Sequence, residues 1–273
     1  MCKILRRKVG AIACLTPAGR QGRQANFGIN GYRLTAYGLP ITGAGLKTSA
    51  IYITENSIRF LQRVPAGKGA FTLKEQEINI ASIEKKSIPA ALKDFLRENK
   101  IFIERLILGI PRSQVSTRHI ILPSVNDNEI RKMVEFELND LFPYRPQEMA
   151  FDHAITYKNP EGYSEVMLAA TRKEITSNHL SVLKEAGLVP DTIEISSISL
   201  FNQFLQEKRE ERLNYLLINI ENYQMDIVHL NQQKLAFSRG VNFNPQADMQ
   251  ELIKTIDTTL TVLRDKGCQI DTI

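Results

Sequence analysis

Two stretches of the chain, IYITENSIRFLQ at Ile51–Gln62 and LLINIENYQMDIVHL at Leu216–Leu230, read alike. Each is a pair of short strands around a tight polar turn, with a glutamate at the tip. The likeness extends further. After the first hairpin, Ala70–Ile80 reads as a third strand. Ile88, Ala91, Leu92, Phe95 and Leu96 share one face of a helix capped by Ser87, with Pro89 in its first turn. The short apolar run RLILGIP, Arg105–Pro111, is a buried strand stopped by proline. From Tyr215 the order repeats: strands at Tyr215–Ile220, Met225–Leu230 and Lys234–Val241, then a helix at about Ala247–Lys266 with Gly267 as its cap. QIDTI then opens a further strand. A chain that repeats strand, strand, strand, helix, strand at residues 50–110 and 215–273 builds two similar sheets, and the copies are not tandem.

Between them lies a block with its own alternation. QVSTRHIILP, Gln114–Pro123, is a strand ended by proline. Asn126 and Glu129 form a capping box before a helix striped by Ile130, Met133, Val134, Leu138, Leu141 and Phe142. Strands Ala150–Tyr157 and Ser164–Thr171 flank the turn NPEG, and a helix from Lys173 to Ala186 ends at Gly187. We read residues 112–187 as an inserted α+β subdomain. DTIEIS and a helix over Ser196–Glu207 return the chain to the first core, and KREER, Lys208–Arg212, reads as a hinge or a solvated helix end. The resulting division is a basic tail over 1–48, a first core with its insert over 49–207, and a second, incomplete core over 213–273.

The net charge of +5 is uneven: residues 1–48 carry +8 and no acid, so residues 49–273 carry −3. The folded part is thus mildly acidic, and the basic balance is no argument for nucleic-acid binding by it. The same 48 residues hold eight of the fifteen glycines and no sustained period. They read as a disordered tail or as residues upstream of a true start, with a basic arm against anionic lipid as the alternative. The apolar run Val9–Ala13 is shorter than the roughly 7–15 residues of a signal core. No window approaches the roughly 18–20 apolar residues of a membrane span. Cys2, Cys14 and Cys268 are too sparse for a disulfide framework, and the four histidines lack metal-ligand spacing.

The duplicated unit resembles the plan of actin-like ATPases, an α/β, ribonuclease H-like fold whose two halves face each other across a nucleotide cleft. The run LGIPRSQVSTRHIILPSVNDNEIRKMVEFELNDLFPYRPQEMAFDH, Leu108–His153, carries a more specific resemblance. A strand ending in Pro-Arg is followed by a strand ending in Leu-Pro, an acidic-capped helix and an aromatic-Pro stop. EVMLAATRKEITSNHLSVLKEAGLVPDTIEISSISL, Glu165–Leu200, continues it. Over about residues 49–273 the chain resembles the PilM proteins of type IV pilus assembly, and more distantly the cytoplasmic part of the GspL proteins of type II secretion.

In active actin-like proteins each first hairpin tip resembles Asp-hydrophobic-Gly followed by small hydroxyl residues. The glycine lets backbone N–H groups approach phosphate, and the aspartate holds magnesium or its waters. Here the first turn, Thr54, Glu55, Asn56 and Ser57, is preceded by Tyr52 in place of the acid, with Thr54 in place of glycine. In the second turn Asn219 replaces the acid and Glu221, followed by Asn222, replaces glycine. Glu55 and Glu221 are expected to approach the polyphosphate position, at about 4 kcal/mol for each like-charge pair. Arg59, by its register, is expected to be outward and solvated. The family's glycine-rich adenosine segment and larger second insert are absent before Ile273, so the second half reads as truncated. The ATP site is therefore expected to be vestigial, with no cofactor; magnesium-ATP binding and an ATPase switch is the alternative.

No catalytic set is visible, and a sugar or acyl-phosphate kinase would need an acidic base and a glycine-bearing phosphate turn. The resemblance instead implies a cytoplasmic adaptor at the inner face of the inner membrane. It would hold the N-terminus of a PilN-type inner-membrane protein within a pilus or secretion platform. The membrane association is then peripheral, through that partner. Gln114, Ser116 and Arg118 on one strand, with Phe142, Tyr144 and Phe151 around a proline-rich turn, are the candidate walls of the peptide groove.

Overall fold

The computed structural model describes residues 28–29, 32–35, 47–67, 70–206, 212–221, 224–243 and 249–273. Two short strands, β1 (Gly28–Ile29) and β2 (Tyr32–Thr35), precede β3 (Thr48–Ile53), β4 (Ser57–Gly67) and β5 (Ala70–Asn79). Helix α1 (Ile88–Glu98) then leads to β6 (Arg105–Ile110). Strands β3, β4 and β5 form an antiparallel meander, and β6 returns parallel to β3 with Thr48 opposite Arg105. Every residue of β3 is buried, as its near-continuous apolar run requires of a central strand. Ser87 precedes α1 but makes no side-chain cap bond, because it closes a 3-10 turn at Lys85–Ser87 and is already in the αR region. The expected serine cap is therefore not formed.

The insert contributes β7 (Ser116–Leu122), α2 (Asp127–Leu141), β8 (Met149–Lys158) and β9 (Ser164–Arg172), a separate antiparallel sheet in the order β7-β9-β8. One face, with Val166, Leu168 and Ala170, packs on Ile130, Val134 and Leu138 of α2. The other, through Met167 and Ala169, packs on the first core. Asn126 caps α2 by accepting from the N–H groups of Asn128 (2.9 Å) and Glu129 (3.4 Å). Glu129 completes the box indirectly: it accepts from the Ser124 hydroxyl, whose oxygen accepts from the Asn126 N–H. Helix α3 (Lys173–Glu185), expected to close the insert, places Leu180, Leu183 and the following Ala186 in the first core. It packs between α1 and the face of the insert's sheet opposite α2, joining the insert to the first core.

The chain re-enters the first sheet at β10 (Thr192–Ile195), parallel to β6, and continues directly into α4 (Ser196–Gln206). The full order is β1-β2-β10-β6-β3-β4-β5. Of residues 1–48 only 28–29, 32–35 and 47–48 are described, and all of them lie in or beside strands. Within that basic segment β2 pairs parallel with β10 and β1 pairs antiparallel with β2, supplying partners for edge groups of β10 that would otherwise be unpaired.

The second half repeats the plan. Strands β11 (Tyr215–Glu221), β12 (Gln224–Asn231) and β13 (Lys234–Asn242) form an antiparallel meander, followed by α5 (Met249–Asp265). Gly267 adopts φ +71° after α5, the left-handed cap the sequence signals. Thr272 then bridges in parallel to Tyr215, the counterpart of β6 beside β3. One face of this sheet, with Leu216, Met225 and Ile227, packs with Leu263 of α5. The other, with Tyr215, Val228, Leu230 and Leu235, joins the same core as β3, β6 and α4. The two halves are thus directly packed.

Candidate functional site

The first hairpin turn is closed on itself. Thr54 Oγ1 accepts from the backbone N–H groups of Asn56 (3.3 Å) and Ser57 (3.0 Å), and the Thr54 N–H donates to the Ser57 carbonyl at 2.9 Å. Ser57 is buried, with its hydroxyl 3.3 Å from Thr54 Oγ1. The N–H groups that a phosphate turn aims outward are therefore engaged by the threonine that stands in the glycine position. Glu55 is exposed at the tip.

Tyr52, in the position of the acid, is 3% exposed and donates its hydroxyl proton to Gln224 Oε1 on β12 at 2.8 Å. Burial, and then the charge of Asp226, raise its pKa. The second turn meets the first through a charge pair. Arg59, half-buried on β4, pairs with Glu221 and also with Glu77, whose carboxylate lies 3.3 Å from Nε. The Ser57 hydroxyl, with Arg59, holds the Glu77 carboxyl below its ordinary value. Two expectations are corrected. Arg59 is not solvated, because its register places it opposite Tyr52 and Glu77 at the junction of the halves. Glu221 is not a free charge facing the cleft, because that arginine neutralises it. Asn219 sits on the same face, opposite Asp226 in the ladder, and Asn222 lies outside the described residues.

Deeper in the junction is a polar cluster that the sequence reading did not single out. Arg112 follows β6 and Pro111 and is 8% exposed. Its Nε donates to Ser238 Oγ (2.8 Å). Nη2 donates to the Ser238 carbonyl and to Thr117 Oγ1 (both 2.7 Å), and Nη1 donates to the Val115 carbonyl. Its backbone N–H donates to Ser196 Oγ at 2.9 Å, and the Ser196 hydroxyl donates to Asp226. Burial lowers the Arg112 pKa to about 10, opposed by the Asp226 charge. Burial raises the Asp226 carboxyl to about 6, against the Ser196 bond and the Arg112 charge. Asp226 had a legible signal: it is the one acid in MDIVHL, a strand whose two faces are otherwise apolar or histidine. Arg112 was visible only as the arginine of the Pro-Arg that ends the buried strand in the family resemblance, with no sign of its partners.

The candidate peptide-groove residues divide. Phe142 is 4% exposed and belongs to the insert's core, so it is not an open wall. Its ring is covered by the Arg118 guanidinium, 5.6 Å from the centroid. Ser116 and Phe151 both pair with Ala170 from opposite sides and lie in one row on the α2 face of the sheet. Tyr144 and Phe151 are partly buried against that core. Gln114 is turned inward: its carbonyl accepts from the Thr171 hydroxyl at 2.7 Å, and its Oε1 lies 3.2 Å from His179 Nε2. The structure therefore places Ser116 and Arg118 on β7 and Phe151 across β9 on β8, with Tyr144 packed against the same core, and withdraws Gln114 and Phe142.

Two facing copies of a three-stranded meander, helix and returning parallel strand define an actin-like fold, here with an inserted subdomain after the fourth strand. The family model for type IV pilus assembly protein PilM matches residues 61–261, and the chain belongs to that family. Among solved structures, a chain of a PilM-PilN type IV pilus biogenesis complex is 19% identical with a TM-score of 0.61. The match covers 80% of this chain and 72% of that one. A Bacteroides thetaiotaomicron VPI-5482 protein of unknown function with an actin-like ATPase fold is 15% identical (TM-score 0.49; 85% and 81% covered). The cytoplasmic domain of EpsL, an inner-membrane component of the Vibrio cholerae type II secretion system, is 10% identical (TM-score 0.47; 72% and 71% covered). Among the described residues no helix is long and apolar enough to cross a membrane.

Proposed function

We propose that the protein is a cytoplasmic adaptor of a type IV pilus inner-membrane platform, holding the N-terminal peptide of a PilN-type membrane protein and turning over no nucleotide. Membership of the PilM family carries the reading. The similar solved chain comes from a complex of PilM with PilN, which motivates the partner. The edge strand β7 offers Ser116 and Arg118, with Tyr144 and Phe151 partly buried on the same insert, a combination suited to an extended peptide with an acidic or aromatic side chain.

The nucleotide half of the proposal rests on fit. A magnesium triphosphate needs outward N–H groups and a solvated carboxylate between the turns. Thr54 occupies the first set, and Tyr52 with Gln224 and Arg59 with Glu221 bridge the space between the turns. Of the acids at the seam, Glu55 is exposed at the tip and Glu221 is paired with Arg59. Asp226 is 6% exposed, bound to Ser196 and shifted toward its neutral form. The residues present do not fit magnesium-ATP. Titration calorimetry of the full chain with magnesium-ATP is expected to give no saturable heat, and micromolar binding overturns this part. Pull-down with N-terminal peptides of the inner-membrane proteins of the same platform is expected to capture one of them, with Arg118→Ala weakening capture. Capture of none sinks the adaptor reading.

A further inference from the structure

We infer that Arg112 and Ser238 form a built-in latch that holds the two halves of the molecule closed with no nucleotide between them. Arg112 lies in the turn between β6 and β7 and spends its donors in two directions. Val115 and Thr117 accept on the insert side, while both oxygens of Ser238 accept on β13 of the second half. The Ser196 hydroxyl at the start of α4 accepts from the Arg112 backbone and donates to Asp226 on β12, making a second crossing between the same halves. The backbones themselves touch. A Cβ placed on Gly240 would lie 2.2 Å from the Ser113 nitrogen and 2.6 Å from the Arg112 carbonyl carbon, so only glycine lets β13 come this close.

The arrangement behaves as a latch because it is steep. A second half that rotates away removes two acceptors at once from a guanidinium already out of water, and leaves that cation under-bonded until water enters. Partial opening therefore lacks a comfortable intermediate. Tyr52–Gln224 and Arg59–Glu221 close the outer end of the same seam. This role is independent of which peptide the insert binds.

The test is hydrogen exchange, read segment by segment on the full chain, for three variants that loosen the joint in different ways. Arg112→Met removes the donors, Ser238→Ala removes one acceptor, and Gly240→Ala wedges the backbones apart. Exchange at 234–242 and 112–117 is expected to rise about tenfold in Arg112→Met and Gly240→Ala, and less in Ser238→Ala, while α1 and α5 keep wild-type protection. A radius of gyration larger than wild type accompanies it. Should Arg112→Met fail to fold, the other two variants decide. Unchanged exchange at the joint overturns the latch, as does a rise spread equally over α1, α5 and the joint. Reclosure of the variants by millimolar magnesium-ATP also overturns it. Nucleotide binding by the wild-type chain without that reclosure sinks only the nucleotide part of the proposed function.

Discussion

Asp226 lies on β12 with Arg112, Ser196 and Tyr52 facing it from the first half, Asn219 and Gly240 beside it on its own sheet, and the Arg59–Glu221 pair closing the outer end. Its folded carboxyl, at about 6, binds a proton more tightly than an ordinary aspartate at 3.8. Its contribution to stability is therefore greatest below 3.8 and is lost as pH rises through about 6, roughly 3 kcal/mol for a shift of that size. His179 works the other way. Burial lowers it to about 4, so stability is lost as pH falls from its ordinary 6.5. His119 and His153 are lowered by burial too and add to that loss. In the wild type the opposing slopes offset each other between about pH 6 and 4. Asp226→Asn is expected to unmask the histidines, so that urea midpoints fall more steeply on acidification than in the wild type. Parallel curves would show that Asp226 is not shifted. At the same scale, Gln232 and Gln233 turn β12 into β13 with φ +46° and +68°, a two-residue hairpin that favours Asn-Gly. Gln233→Gly is expected to raise the unfolding free energy by about 0.5–1 kcal/mol, measured by urea denaturation.

Helix α2 shows how an element is held by its ends and one stripe. Asn126 satisfies two of its first N–H groups, and the Ser124–Glu129 bond fixes the entry of the chain. Asn126→Ala is expected to cost about 1 kcal/mol, seen as a lower thermal midpoint with the helical far-ultraviolet signal retained. The inward stripe of Ile130, Val134 and Leu138 repeats at helical spacing over the insert's sheet, while the opposite face stays polar apart from an exposed Phe136. Helix α3 carries a stripe of the same kind yet packs on the first core, because β9 delivers it on the far side of its sheet. Periodicity identified the α2 stripe, and the partner of neither helix.

At the scale of the molecule, one apolar cluster runs from Ile51 and Leu108 through Ile198 and Phe201 of α4 to Val228, Leu230 and Leu235 of the second half. The halves are expected to unfold together. Phe201, 3% exposed in that cluster, is the residue to probe. Phe201→Ala is expected to cost about 3–5 kcal/mol while calorimetry still shows a single transition. Two resolved transitions would mean that the halves fold independently and that their contact is incidental.

Strands β1 and β2 were not legible in the amino-acid pattern. The strand and helix order from residue 48 onward, the duplication, the α2 cap and the Gly267 stop all were. They follow from local periods and turn chemistry, which act over a few residues. The degraded turns were legible as well, since they are substitutions at counted positions. What sequence could not decide was which side chains meet across the seam. Arg59 looked solvated and Glu221 looked like a free charge until the second sheet was laid against the first, and Phe142 looked like a groove wall until the insert's core enclosed it and Arg118 covered its ring. Arg112 and Ser238 are 126 residues apart. Contacts at that separation depend on how two finished surfaces dock, a sum of shape and burial over many residues that no single stretch of chain encodes.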